Sequence, residues 1–232
     1  MKLYCGTSGF SCKQWCGIFY PEGLPAAKML EFYASRLPSV EINSTFYRMP
    51  KKSVLGGWRS QVPEDFRFVI KTPRRISHSK RLVDCAEEMG FLLASLEELG
   101  RQLGALLVQL PPYCRADLDV LRNFLTLVPE SVPVAFEFRH DSWQDDAIVA
   151  ALAEHGAALV HADTAGDRPA SLVQTAPWTY LRLRAPKYTP AALGAWHKLC
   201  LPFERAFVFF KHEDDAVGPK LAERMLALED QA

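Results

Sequence analysis

Eight short apolar runs, each ending in polar residues, alternate along this chain with segments whose apolar residues recur at helical spacing. Such alternation specifies a parallel sheet whose strands are joined by crossover helices. The expected strands are Lys2 to Cys5, Ser39 to Asn43, Arg67 to Lys71, Ala105 to Leu110, Val134 to Phe138, Ala157 to Ala162, Thr179 to Leu183 and Arg205 to Phe210. Eight strands close a barrel, so the expected fold is α/β, a TIM-like (β/α)8 barrel in one domain over residues 1–232. The region around strands 7 and 8 has room for irregularity. At 232 residues the chain has the usual length for one such domain.

Five helices are legible. Ala26 to Arg36 carries Met29, Leu30, Phe32 and Tyr33 on one face, and Asp84 to Leu103 carries Met89, Leu92, Leu93, Leu96 and Leu99. Leu118 to Leu127, Ala147 to Glu154 and Pro219 to Leu228 follow. Gly156 suits a helix C-terminal cap before the sixth strand. Gly166 to Trp178 lacks pattern and reads as a loop.

In a barrel of this kind, inward side chains near the C-terminal strand ends face the working mouth. Residues two apart in a strand share a face. That places Glu41 with Asn43, Glu137 with Arg139, and Arg182 with Arg184. With Lys71, Gln109 and Asp163 at other strand ends, the expected ring is Glu41, Asn43, Lys71, Gln109, Glu137, Arg139, Asp163 and Arg182. Three acids and three bases in an enclosed mouth must pair, stay wet or bind something. A purely structural ion-pair network is the bland alternative. Aromatic residues fall in the same loops: Phe10, Trp15, Phe19, Tyr20, Phe46, Tyr47, Tyr113 and Trp143. They either stack a planar ligand or pack over the rim.

Charge and composition narrow the classes. Net charge is +0, with 27 basic and 27 acidic residues, so there is no overall basic footprint for coating nucleic acid. No apolar run of membrane-spanning length is present. The start, Met1-Lys2-Leu3-Tyr4, reads as a strand and not as an export signal. Six cysteines without that signal read as reduced thiols, so a cytoplasmic location is expected. Cys12 and Cys16 form a pair without a second pair at zinc spacing. No P-loop, G-x-G-x-x-G, G-x-S-x-G or H-E-x-x-H occurs.

Several stretches together resemble a known family. These are Cys5-Gly6-Thr7-Ser8-Gly9-Phe10, Glu41-Ile42-Asn43-Ser44-Thr45-Phe46-Tyr47, Lys71-Thr72-Pro73-Arg74-Arg75-Ile76-Ser77-His78, Gln109-Leu110-Pro111-Pro112, Glu137-Phe138-Arg139-His140-Asp141-Ser142-Trp143 and Tyr180-Leu181-Arg182-Leu183. They are similar to the YecE-like family, domain of unknown function seventy-two, over nearly the whole chain. The resemblance implies a TIM-like barrel and no settled activity. Its recurring polar residues match Glu41, Asn43, Tyr47, Lys71, Gln109, Glu137, Arg139, His140, Trp143, Asp163 and Arg182. The chain departs from the family pattern at Phe10, Cys12, Arg184-Ala185 and Lys211-His212.

Three functions are carried forward. The first is an enzyme without metal or other cofactor, of hydrolase, lyase or isomerase class, acting on a phosphorylated, carboxylated or sugar-like small molecule. Glu41, Lys71, Glu137 and Asp163 would be catalytic, with Glu41 and Glu137 as acid and base. Asn43, Tyr47, Gln109, Arg139, His140, Trp143 and Arg182 would bind substrate. The second is a metal-dependent hydrolase or nuclease resembling endonuclease-IV-like barrels, with ligands drawn from Glu41, Glu137, His140, Asp163, His212 and Glu213. The third is a non-catalytic module for an anionic ligand or nucleic acid. Nucleic acid is not favoured, no membrane partner is expected, and the chain is expected to be a monomer or weak homodimer.

Overall fold

The computed structural model describes residues 1–166, 169–212 and 214–229. Eight parallel strands close a barrel in sequence order. They are β1 (Lys2–Thr7), β2 (Ser39–Ile42), β3 (Arg67–Lys71), β4 (Leu103–Gln109), β5 (Val134–Glu137), β6 (Ala158–Asp163), β7 (Trp178–Leu183) and β8 (Arg205–Phe210). β8 pairs with both β1 and β7 over six residues, so the region with expected room for irregularity is the most extensively bonded part of the barrel.

Among the described residues seven α-helices lie outside it: α1 (Met29–Ala34), α2 (Lys52–Arg59), α3 (Ala86–Leu96), α4 (Leu118–Leu125), α5 (Asp146–His155), α6 (Pro190–Cys200) and α7 (Val217–Leu226). The expected helix from Ala26 begins as a 3-10 turn, Ala26–Lys28. The one expected from Asp84 starts at Ala86, because Asp84 has φ +48°. It gives way to 3-10 geometry at Glu97, where Gly100 takes φ +51°. α2 and α6 were not legible, since each holds glycine (Gly56 and Gly57, Gly194) that dilutes helix propensity. In α6, Thr189 accepts from the Ala192 N–H and Pro190 occupies the first turn, which sets the helix start. Among the described residues no helix follows β6. A loop crosses its outer face and Thr175 Oγ1 accepts the Leu159 N–H there.

Two apolar layers result from the strand alternation. Outward residues such as Val40, Ile42, Phe68, Val108 and Phe136 pack under the helices. Inward residues fill the barrel: Tyr4, Val69, Leu107, Ala135, Val160, Tyr180, Phe207 and Phe209 among them. Tyr4 stacks on Phe207 at 5.0 Å, and Trp178 meets the same ring edge-on at 5.8 Å. These rings plug the barrel toward its N-terminal end, and Tyr180 and Phe209, 5.4 Å apart and two residues further along their strands, lie between them and the mouth.

Gly156 ends α5 with φ +68°, as its position in the sequence indicated. A side chain there strains the left-handed conformation but meets no neighbour. Gly156→Ala is therefore expected to cost about 1 kcal/mol, read as a small fall in denaturant midpoint at unchanged slope. A neutral result would remove the capping argument.

Candidate functional site

The mouth is organised around Arg182. Tyr180 and Arg182 share the inner face of β7, and both reach the β2 carboxylate. Arg182 is 2% exposed. It donates from Nη1 to Glu137 Oε2 at 2.5 Å and from Nη2 to Glu41 Oε1 at 2.6 Å. Tyr180 donates to Glu41 Oε2 at 2.6 Å, and Asn43 Nδ2 donates to Glu41 Oε1 at 2.9 Å. Glu137 also receives Arg139 Nε at 3.2 Å and faces Arg184 Nη2 at 3.5 Å. Lys71 donates to Gln109 Oε1 at 2.9 Å and lies 4.3 Å from the Phe46 ring centre.

These contacts decide the protonation states. Burial alone would raise the Glu41 carboxyl, but the Arg182 charge and the hydrogen bonds from Tyr180 and Arg182 outweigh it and hold it at about 2. Glu137 is likewise opposed by burial, yet Arg182 and Arg184 leave it below its ordinary value. Burial pushes Lys71 down to about 8, helped by the Arg182 charge and resisted by Glu41 and Glu137. Burial with the neighbouring charge of Lys71 lowers His78 to about 4, so it is neutral at physiological pH.

Two carboxylates therefore face four cations: Arg182, Arg139, Arg184 and Lys71. Donors are also in excess. Gln109 Nε2, Arg182 Nε and Arg184 Nε are buried without an acceptor among the described residues. Buried donors in native proteins are nearly always satisfied. This mouth is suited to an anion that brings acceptors with it.

Six of the expected mouth residues meet here: Glu41, Asn43, Lys71, Gln109, Glu137 and Arg182, with Arg139 at the exposed edge. Asp163 does not. Ala158 and Val160 point inward, so Asp163 falls on the outer face of β6 and Ala162 is the residue exposed at the mouth. Asp163 instead accepts from Tyr188 at 2.7 Å and from the Gly166 N–H at 2.7 Å, tying the loops after β6 and β7 together. Trp143 is 4% exposed, stacks on Phe138 at 4.2 Å and donates to the Cys114 carbonyl, so it packs the wall. His140 Nδ1 accepts from the Ser142 N–H, capping a turn. Both border a cleft of about 490 Å³ outside the barrel, between β6 and the start of α5. A larger cleft of about 820 Å³, lined by Arg59, Arg67 and Gln102, lies at the opposite, N-terminal end. Tyr47 stands on the rim, 83% exposed. Trp15, Phe19 and Tyr20 are core residues.

Tyr180 and Arg184 are site residues that the expected ring left out, although Arg184 was placed on the face of Arg182. Both lie two positions from Arg182, so the alternation that found Arg182 also carries them. Among the described residues no three of His, Cys, Asp and Glu converge as metal ligands. Glu41 and Glu137 turn to Arg182, and His212 Nε2 lies 2.7 Å from the Ala185 carbonyl oxygen. Glu213 lies outside the described residues.

Comparison with known proteins agrees with the barrel fold. A family model described as protein of unknown function DUF72 matches residues 4–232. The chain belongs to the DUF72 family. Among DUF72 relatives, the protein YecE of Escherichia coli (strain K12) is 32% identical over 139 residues, 60% of this chain and 48% of YecE. YunF of Bacillus subtilis (strain 168) is 27% identical over 149 residues, 61% of this chain and 52% of YunF. The matches thus span about half the length of these curated relatives. A DUF72 protein of Thermotoga maritima has the same fold, with TM-score 0.83 at 24% identity over 99% of this chain and all of that one. No described helix is long and apolar enough to cross a membrane.

Proposed function

We propose that this DUF72 protein is an enzyme acting on a small anionic substrate, phosphorylated or carboxylated, bound at the C-terminal mouth of the barrel. The observation that carries this reading is the excess of cationic donors over acceptors around Arg182. Arg139, Arg184 and Lys71 would hold the anion. Arg182, already spanning Glu41 and Glu137, would fix the frame and offer its remaining Nε–H.

The two carboxylates are held ionised by their arginine partners, so near neutral pH they have no proton to deliver and are too weakly basic to take one up readily. Lys71 is the group whose proton is most easily exchanged there. It would serve as general acid when charged and as base when neutral. In this reading Glu41 and Glu137 shape the field and Lys71 moves the proton. Asn43 and Gln109 orient their charged neighbours.

Thermal shift with paired probes tests the ligand class. Glucose 6-phosphate, inorganic phosphate and citrate are expected to raise the melting temperature, and glucose is not. Binding to one tight site at 100 times its dissociation constant would add about 2.7 kcal/mol. Equal effects of glucose and glucose 6-phosphate, or none from any anion, would remove the proposal.

A further inference from the structure

The chain is neutral overall, yet its charge is not spread evenly over the barrel's two ends. In the loops following β2 and β3 (residues 43–51 and 72–85), Arg48, Lys51, Arg74, Arg75, Lys80 and Arg81 stand against one acid, Asp84. At the opposite end, the segments leading into β3 and β4 (60–66 and 97–102) carry Glu64, Asp65, Glu97 and Glu98 against Arg101. Glu88 holds Arg75 and Lys80 at 2.6 and 2.8 Å. Arg48, Lys51, Arg74 and Arg81 are exposed and have no acidic partner among the described residues.

This basic quadrant is rigidly presented. Arg75–Ser79 forms a π-helical turn, a geometry that favours functional sites. Arg81, Leu82 and Asp84 all have φ between +48° and +72°, the left-handed region that side chains avoid. The Leu82 N–H donates to the Ile76 carbonyl, and Lys80 Nζ donates to the Asp84 carbonyl, locking the loop. Strain of this kind collects where a loop must hold a shape for a partner.

Exposed rings flank the cations. Tyr47 is 83% exposed on the loop after β2, and Tyr113 is 62% exposed on the loop after β4. Arg81 lies close enough to Cys114, the next residue after Tyr113, to oppose the rise of its thiol. From Tyr47 the aromatic surface continues inward: Phe46 meets it edge-on at 5.1 Å, His78 meets Phe46 at 4.8 Å, and Lys71 lies over Phe46. Cations for a chain of phosphates, with exposed rings at either side, are the elements of a single-strand binding surface.

We propose that the rim formed by the loops after β2, β3 and β4 binds single-stranded nucleic acid, its phosphates on Arg48, Arg74 and Arg81 and its bases on Tyr47 and Tyr113. The surface uses none of Arg182, Glu41 or Glu137. Strand binding and anion binding in the mouth therefore succeed or fail separately. The neutral net charge that argued against a nucleic-acid partner hides a separation of charge between the two ends of the barrel.

Fluorescence anisotropy with a labelled twelve-nucleotide oligothymidylate tests the assignment. Binding is expected at about 50 mM salt and should weaken with salt, by about 0.7 in log–log slope for each phosphate neutralised. Replacing Arg48, Arg74 and Arg81 together by Gln should weaken binding at least tenfold and flatten the slope by about 2. Tyr47→Ala should weaken it about fivefold or more with the slope unchanged, since a stacked base contributes without a charge. Unchanged melting temperatures would show that both variants fold. No binding at about 50 mM salt, or full affinity in the triple variant, overturns the proposal. So does an unaffected Tyr47→Ala protein that binds phosphatidylserine vesicles through the same arginines, because the rim would then be a membrane surface.

Discussion

Arg182→Met is expected to lower the melting temperature at pH 7 by about 6–20 °C and to remove anion binding at the mouth. The substitution leaves two buried carboxylates without their shared counter-ion. Breaking a buried pair from one side costs about 3–5 kcal/mol, because the remaining charge stays desolvated. Here one guanidinium serves Glu41 at 2.6 Å and Glu137 at 2.5 Å.

The pH dependence gives the effect a sign. With Arg182 present, Glu41 sits at about 2, below its ordinary 4.5. Its contribution to stability is complete above about pH 4.5 and is lost as pH falls toward 2. Without Arg182, burial dominates and raises both carboxyls, which then take up protons closer to neutrality. The deficit of the variant should be largest at neutral pH and shrink on acidification. Melting curves of both proteins at pH 7 and pH 5 would show it. A constant deficit, or none, would mean that Arg182 is not the electrostatic hub of the mouth.

Lys71→Met is expected to act in the opposite direction on stability. Lys71 is held at about 8, well under its ordinary 10.5, so the fold disfavours its charged form. That cost is full below about pH 8 and vanishes above about pH 10.5. A methionine of similar length keeps contact with Phe46 and carries no charge. Its melting temperature should rise by about 2–4 °C at pH 7, and the gain should disappear above about pH 10.5. Anion affinity should fall at the same time by about 10- to 100-fold, the usual worth of a charge-assisted hydrogen bond. Stability gained as function is lost is the mark of a group kept for its chemistry. A melting temperature that falls, or affinity that survives, would place Lys71 among the structural cations.

Much of this was legible in the residues. Strand alternation identified Glu41, Lys71, Gln109, Glu137 and Arg182, because each ends an apolar run and shares its inward face. The same rule misplaced Asp163. The β6 run ends one residue later than expected, and its inward set is Ala158, Val160 and Ala162, small residues with no polar signal. Tyr180 was absent from the expected site because a tyrosine within an apolar strand reads as core. Only its 2.6 Å bond to Glu41 shows its second role. Arg184 shares a face with Arg182, yet it lies one residue past the apolar run of β7 and is not in the expected ring. Trp143 and His140 belong to a distinctive motif, but a motif also records packing, and here the stack on Phe138 and the turn cap account for them. The separation of charge was hidden in a net sum of zero. It appears only when the loops are sorted by the end of the barrel they occupy.

The most direct test of the mouth as an anion site governed by Lys71 is calorimetric titration with sulfate between about pH 6.5 and pH 9.5, where sulfate itself does not titrate. Affinity in the unmodified protein is expected to be constant at the acidic end and to fall through a midpoint near 8, with Lys71→Met weak and flat across the range. An unmodified protein whose affinity does not change with pH, or that binds no sulfate at all, would contradict it.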